Sequence, residues 1–176
     1  MMGNCTALLI IDVQVGSFEE KEALYKEREL IRIIQLLISK ARSRSAPIFY
    51  MKFNGKHGSL LRQGTHGWEI HKSIAPLPQD VVLEKNHPDS FHKTKLQQEL
   101  EMRNIKRIII AGIQSEICID ATCRRAYSLG YDVTLVGDGH STYDSVILPA
   151  SQIIEHHNHV IGQWFARIEN EKNIEF

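Results

Sequence analysis

Cysteine is scarce in this chain: 3 thiols, Cys5, Cys118 and Cys123, stand among 176 residues. They are too few and too widely spaced for a disulfide framework or a zinc ribbon. That scarcity fits a reducing compartment and leaves room for one reactive thiol. An excess of charge is missing too. Lys and Arg together number 21, as do Asp and Glu, and neither sign forms a long block. Nucleic acid and anionic membrane surfaces are therefore not expected partners. No apolar run reaches the roughly 18–20 residues that span a bilayer. Residues 1–5 lack the basic and apolar regions of a secretory signal, so a cytoplasmic protein is expected. There is no internal repeat, low-complexity tract or Pro/Gly/Ser-rich linker, and residues 1–176 are expected to form one domain with a substantial core.

What is present is a regular alternation of strand and helix signals. Residues 6–12 are a short apolar run ending in an acid, the pattern of a buried strand. Residues 21–45 carry Leu24, Leu30, Ile31, Ile34, Leu37, Ile38 and Ala41 on one helical face. A strand over 48–53 follows Pro47, then a Gly- and His-rich loop over 54–71 that is too long to be a mere connector. A brief strand at 81–84, a helix at 93–103 and an apolar strand at 107–111 lead to a turn at Gly112. The spacing predicts a helix over 115–129 ending at Gly130, a strand over 131–136, a helix over 146–158 and a last strand over 164–168. Apolar strands alternating with helices indicate a three-layer α/β/α, Rossmann-like fold with a mostly parallel sheet of roughly six strands.

Ligands of such folds bind beyond the carboxyl ends of the strands. Here that rule selects Asp12, Asn54, Lys85, the turn from Gly112 to Cys118, and Asp138. An acid, a cation and a thiol make a coherent chemical set, because a thiol is mostly protonated at neutral pH and needs activation. Asp12 can be the base and Lys85 the cation. A helix start that Ser115 can cap would surround Cys118 with N–H groups that favour a thiolate and suit an oxyanion. Taken singly, each has a plain explanation: a capping Asp, a surface Lys, a small buried Cys. Their shared position at strand ends singles them out. His87 and His92, close after Lys85, offer an alternative base, since histidine is the commonest.

Three stretches then carry a resemblance: L-I-I-D-V-Q (9–14) with Phe18 nearby, E-K-N-H-P-D-S-F (84–91), and A-G-I-Q-S-E-I-C-I-D (111–120) continuing into T-C-R-R-A-Y-S-L-G-Y-D-V (122–133). Over residues 6–168 the chain resembles the isochorismatase-like cysteine hydrolases, nearest the metal-free members similar to streptothricin hydrolase. The resemblance implies an Asp–Lys–Cys triad on Asp12, Lys85 and Cys118, and a cis peptide at Ile113–Gln114. It also implies an oxyanion hole from the backbone N–H groups of Gln114 and Cys118. The implied activity is hydrolysis of a C–N bond in a small amide, lactam or carbamoyl compound through a thioester. No cofactor is implied, Phe18 and Trp68 would be apolar walls for the substrate, and a homodimer or larger homo-oligomer is expected.

Nicotinamidases of that family hold a metal with an Asp-x-His pair after the second strand and a further His. Residues 53–57 here read F-N-G-K-H, so Asn54 is not an acid and Lys56 replaces the first His. His57, His66 and His71 are irregularly spaced and read as solvated or pocket-lining residues, so no metal is expected. His156, His157 and His159 read as a solvated helix end, Cys123 as core and Cys5 as structural. Two rival readings remain: a nicotinamidase-type, metal-dependent amidase, and a catalytically idle binding protein of the same fold. The missing ligands weigh against the first, and the intact triad against the second. An isochorismatase proper, cleaving a vinyl ether, resembles the chain less in the turn before the helix.

Overall fold

The structure is a computed structural model describing residues 5–176; residues 1–4, part of the segment without signal-like character, lie outside it. Its centre is a sheet of 6 strands in the order β3-β2-β1-β4-β5-β6, all parallel. The strands are β1 (Thr6–Ile11), β2 (Ile48–Phe53), β3 (Val81–Lys85), β4 (Arg107–Ile113), β5 (Asp132–Ser141) and β6 (Arg167–Glu169). β1 is buried at every position, as its unbroken apolar sequence requires for a strand covered on both faces. The chain winds outward from β1 to β3, then crosses back to start β4 on the other side of β1. That reversal leaves a crevice beyond the carboxyl ends of β1 and β4, where ligands of such sheets bind.

Helix α1 (Glu27–Ser43) covers one face. Its Leu30, Ile33, Ile34, Leu37 and Ile38 pack with Leu8, Ile10 and Ile109 from the sheet. The other face is covered by α2 (Leu96–Met102), α3 (Asp120–Ser128) and α4 (Ala150–Trp164). There Leu96, Leu100, Ile119, Cys123 and Ile161 meet Leu9, Ile11, Ile108 and Ile110. Cys123 is thus a core residue, whereas Cys5 is exposed. Among the described residues no helix is long and apolar enough to cross a membrane.

Several boundaries differ from the sequence reading. α1 starts only at Glu27, because Lys26 takes a left-handed conformation (φ 48°) that interrupts the helical run. The expected helix over 115–129 divides into a π-type turn, Ser115–Ile119, and α3. β5 runs on to Ser141, so Asp138 lies inside a strand, exposed, and accepts a hydrogen bond from the Glu171 N–H at 2.8 Å. Residues 146–149 are a loop whose Val146 is fully exposed; α4 follows Pro149 and continues through Trp164. The last strand accordingly starts at Arg167.

Candidate active site

Asp12 is the first residue after β1. Its N–H donates to the Met51 carbonyl at 3.0 Å and its own carbonyl accepts from Gln14 at 2.9 Å. The backbone is left-handed there (φ 56°), a conformation Asp tolerates better than most residues but still an unusual one, of the kind that gathers at functional sites. Lys85 is the last residue of β3, in register with Phe53 of β2. Its ammonium donates to Asp12 Oδ2 at 2.7 Å and to the carbonyls of His87 at 3.1 Å and Pro88 at 3.2 Å. An ammonium has three protons to donate, and these partners hold it at the end of β3. A buried cation held in this way has no freedom to wander, and its charge is fixed beside Asp12.

Cys118 arrives from the neighbouring strand. β4 must approach β1 closely to deliver it: a Cβ on Gly112 would sit 2.2 Å from the Ile11 carbonyl oxygen, and its φ of 133° also suits only glycine. A register shift between Ile110 and Gly112 marks the spot. The peptide Ile113–Gln114 is cis. The Gln114 carbonyl then accepts the N–H groups of both Ile117 (3.2 Å) and Ile119 (3.1 Å), which closes the turn. Ser115 does not cap it. Its hydroxyl is bonded instead to His140 Nδ1 at 2.8 Å, and no side chain caps this turn.

These residues border a cavity of about 200 Å³. Phe53, Leu61, Pro88, Ile113 and Ile117 give it apolar lining, and Asp12, Ser17, Gln114 and Cys118 complete it. Burial pushes the Asp12 carboxyl above the usual carboxylate range, against the opposing pull of Lys85. Burial, reinforced by the Asp12 charge, pushes the Cys118 thiol up to about 12 despite Lys85. The resting thiol is therefore neutral, not the thiolate that a position at a helix start suggests from sequence. Asp12 Oδ1 is buried without a formed hydrogen bond, while the Cys118 thiol is near enough to act on that carboxyl as a donor. A neutral thiol beside a poorly solvated carboxylate is arranged for proton transfer during attack.

The other candidates lie around this core. Phe18 and Trp68 do not line the cavity. Phe18 packs on His71, ring centroids 4.7 Å apart. The Trp68 indole N–H donates to Asn54 Oδ1 at 2.8 Å, and the Lys52 ammonium sits 3.1 Å from its ring centroid. Asn54 also donates to Glu84, so both ends of the amide are engaged. Among the described residues no group of three or more His, Cys, Asp or Glu could hold a metal ion. His87 and His92 stack edge-on against each other at 4.5 Å, and neither borders the cavity. His157 binds Asp120 at 3.2 Å and His159 meets Gln163, so the expected solvated cluster is partly engaged. Gln14 escaped the sequence reading as a separate site residue. Fully buried, it accepts from Phe53 N–H and donates to the carbonyls of Phe53 and Trp68, pinning the long loop to the end of β2. Its place beside Asp12 in L-I-I-D-V-Q was the available signal.

Fold and site together define an α/β protein with a thiol, a carboxylate and an ammonium gathered at the switch point of a parallel sheet. The isochorismatase domain family matches residues 6–161, and the chain belongs to that family of hydrolases. A streptothricin hydrolase of Streptomyces noursei is 32% identical over 81% of the chain, which spans about half (52%) of that relative's length. The isochorismatase family protein YddQ of Bacillus subtilis is 34% identical, covering 84% of this chain and 86% of its own. Among solved structures, an isochorismatase of Pseudomonas putida superposes with a TM-score of 0.92 at 28% identity, over 96% of this chain and 89% of that one.

Proposed function

We propose that this protein is a metal-independent cysteine hydrolase that cleaves the C–N bond of a small amide, lactam or carbamoyl compound. The observation that carries the reading is the buried Asp12–Lys85 ion pair, with its spare oxygen Oδ1 turned to no partner beside the Cys118 thiol. Asp12 takes the thiol proton as Sγ attacks the carbonyl carbon. The backbone N–H groups of Gln114 and Cys118 receive the oxyanion. The C–N bond then breaks, and the leaving nitrogen carries away the proton from Asp12. Asp12 next deprotonates a water that attacks the thioester, releasing the acid and returning a proton to sulfur. Lys85 keeps Asp12 ionised between steps and offsets charge on the sulfur. The apolar walls favour a compact acyl group, and a relative named as a streptothricin hydrolase supports hydrolysis of a small molecule. Nothing in the cycle calls for a cofactor.

The test is a panel of amides, lactams and ureido compounds assayed for amine release or ring opening. Cys118→Ala should lose at least about a thousandfold in kcat, the scale of losing a nucleophile, with its circular dichroism and melting curve close to wild type. Substantial turnover by that variant would end the covalent mechanism. Mass spectrometry of an acid-quenched reaction should show an acyl adduct on Cys118 alone.

A further inference from the structure

The proposed chemistry gives no role to His140, a buried titratable side chain. It lies near the carboxyl end of β5, 3% exposed, and both ring nitrogens are engaged. Nε2 meets Asn158 Oδ1 of α4 at 2.9 Å, and Nδ1 meets the Ser115 hydroxyl at 2.8 Å. The direction of these bonds can be worked out. The Asn158 amide nitrogen faces the Gly137 carbonyl at 2.9 Å, which can only accept, so Oδ1 must be the atom turned to the histidine. Nε2 therefore carries the proton, Nδ1 presents a lone pair, and Ser115 donates to it. Burial holds the imidazole neutral, with its pKa lowered to about 4. A polar chain thus runs Gly137–Asn158–His140–Ser115 through the interior and ends in the turn that carries Cys118.

A core position of this kind is filled more cheaply by an apolar side chain, since an imidazole must be desolvated and given two partners. What the histidine provides that leucine cannot is a directed acceptor for Ser115, the residue between Gln114 and the rest of the nucleophile turn. A second tie, from Thr142 Oγ1 to Glu116 Oε1 at 2.8 Å, joins the same turn to the end of β5. We propose that His140, oriented by Asn158, is a positioning residue that holds Ser115 and so sets Cys118 Sγ and the Gln114 N–H against Asp12. The proposal rests on Cys118 being the nucleophile.

Iodoacetamide, itself a small primary amide, tests it without knowledge of the natural substrate. Alkylation of Cys118, Cys123 and Cys5 is followed at neutral pH by peptide mass spectrometry, the exposed Cys5 serving as the internal reference. Ser115→Ala, which deletes one hydroxyl, and His140→Leu should slow Cys118 alkylation relative to Cys5 by about 10- to 100-fold, the cost of a misplaced reacting group. Cys123 should stay protected in both. His140→Asn, whose side-chain oxygen falls near the place of Nδ1, should recover a large part of the rate. Three results would overturn the proposal: an unchanged Cys118 rate in Ser115→Ala, parallel acceleration at Cys118 and Cys123 (a loosened core), or no advantage of Asn over Leu. If His140→Leu does not fold, Ser115→Ala alone still decides. A failure of the hydrolase reading appears separately, as Cys118→Ala retaining turnover.

Discussion

At the scale of single residues, the feature to test is a carboxylate, that of Asp12, whose pKa burial raises while the Lys85 ammonium opposes the shift. In the proposed mechanism the thiol proton passes to Asp12, so activity should depend on Asp12 being unprotonated. The profile of kcat/KM should rise with pH through a single limb lying above the ordinary carboxylate range, then level off. No limb from thiol ionisation should appear near neutrality, since Cys118 is pushed up to about 12. Lys85→Met keeps the length of the side chain and removes its charge. The acid limb should then move to higher pH, because the opposing Lys85 cation is gone, and activity at neutral pH should collapse. Leaving Asp12 buried without its partner should also cost about 3–5 kcal/mol of stability, read from urea denaturation. The double variant Asp12→Asn/Lys85→Met should recover part of that stability and none of the activity. An acid limb that stays in place in Lys85→Met would show that Lys85 does not govern the carboxyl.

At the scale of elements, what was legible in the sequence was whatever depends on local pattern. The apolar runs of β1, β2 and β4 and the broad face of α1 follow from periodicity alone. Boundaries set by tertiary contacts did not. Lys21 to Lys26 continue an amphipathic pattern, yet the chain leaves the helix there and Tyr25 N–H bonds to Thr142. Ser115 reads as a helix cap because Ser usually is one, but a buried imidazole from β5 takes its hydroxyl, a partner no local window reveals. Phe18 and Trp68 read as pocket walls because loop aromatics often are; the cavity beside Asp12 and Cys118 is itself bordered by Phe53 of β2 and Leu61. Gly112 shows the other extreme, a residue whose meaning is plain once the register is known. Its Cβ would enter the space of the Ile11 backbone, and backbone cannot step aside as a side chain can. Gly112→Ala should therefore destabilise the fold by about 2–4 kcal/mol. It should also impair Cys118 more than an equally destabilising change in α4. A Gly112→Ala protein as stable as wild type would mean that β1 and β4 have room to part.

At the scale of the whole molecule, the site exists because the strand order reverses between β1 and β4. Asp12, Lys85 and Cys118, far apart in sequence, are thereby brought to one rim, a juxtaposition that alternation of strands with helices makes possible. The same burial that tunes the site makes stability depend on pH, through two groups of opposite sign. Asp12, raised by burial, contributes stability when protonated, which is lost as pH rises through its shifted pKa. His140 is depressed, from 6.5 to about 4. Its contribution is complete above the unfolded value of 6.5 and is lost as pH falls toward about 4, where the imidazole must take a charge inside the core. Between neutrality and about pH 4.5, His140 should cost the fold about 2 kcal/mol, while protonation of Asp12 works in the opposite direction. His140→Asn removes the titration. It should be less stable than wild type at neutral pH, having lost the bond to Asn158, but its stability should fall less on acidification. Urea unfolding of both proteins at pH 7 and about pH 4.5 measures the difference directly. Equal losses in the two proteins would mean that His140 is not the buried base that limits acid stability, and that the neutral imidazole inferred beneath Ser115 is wrong.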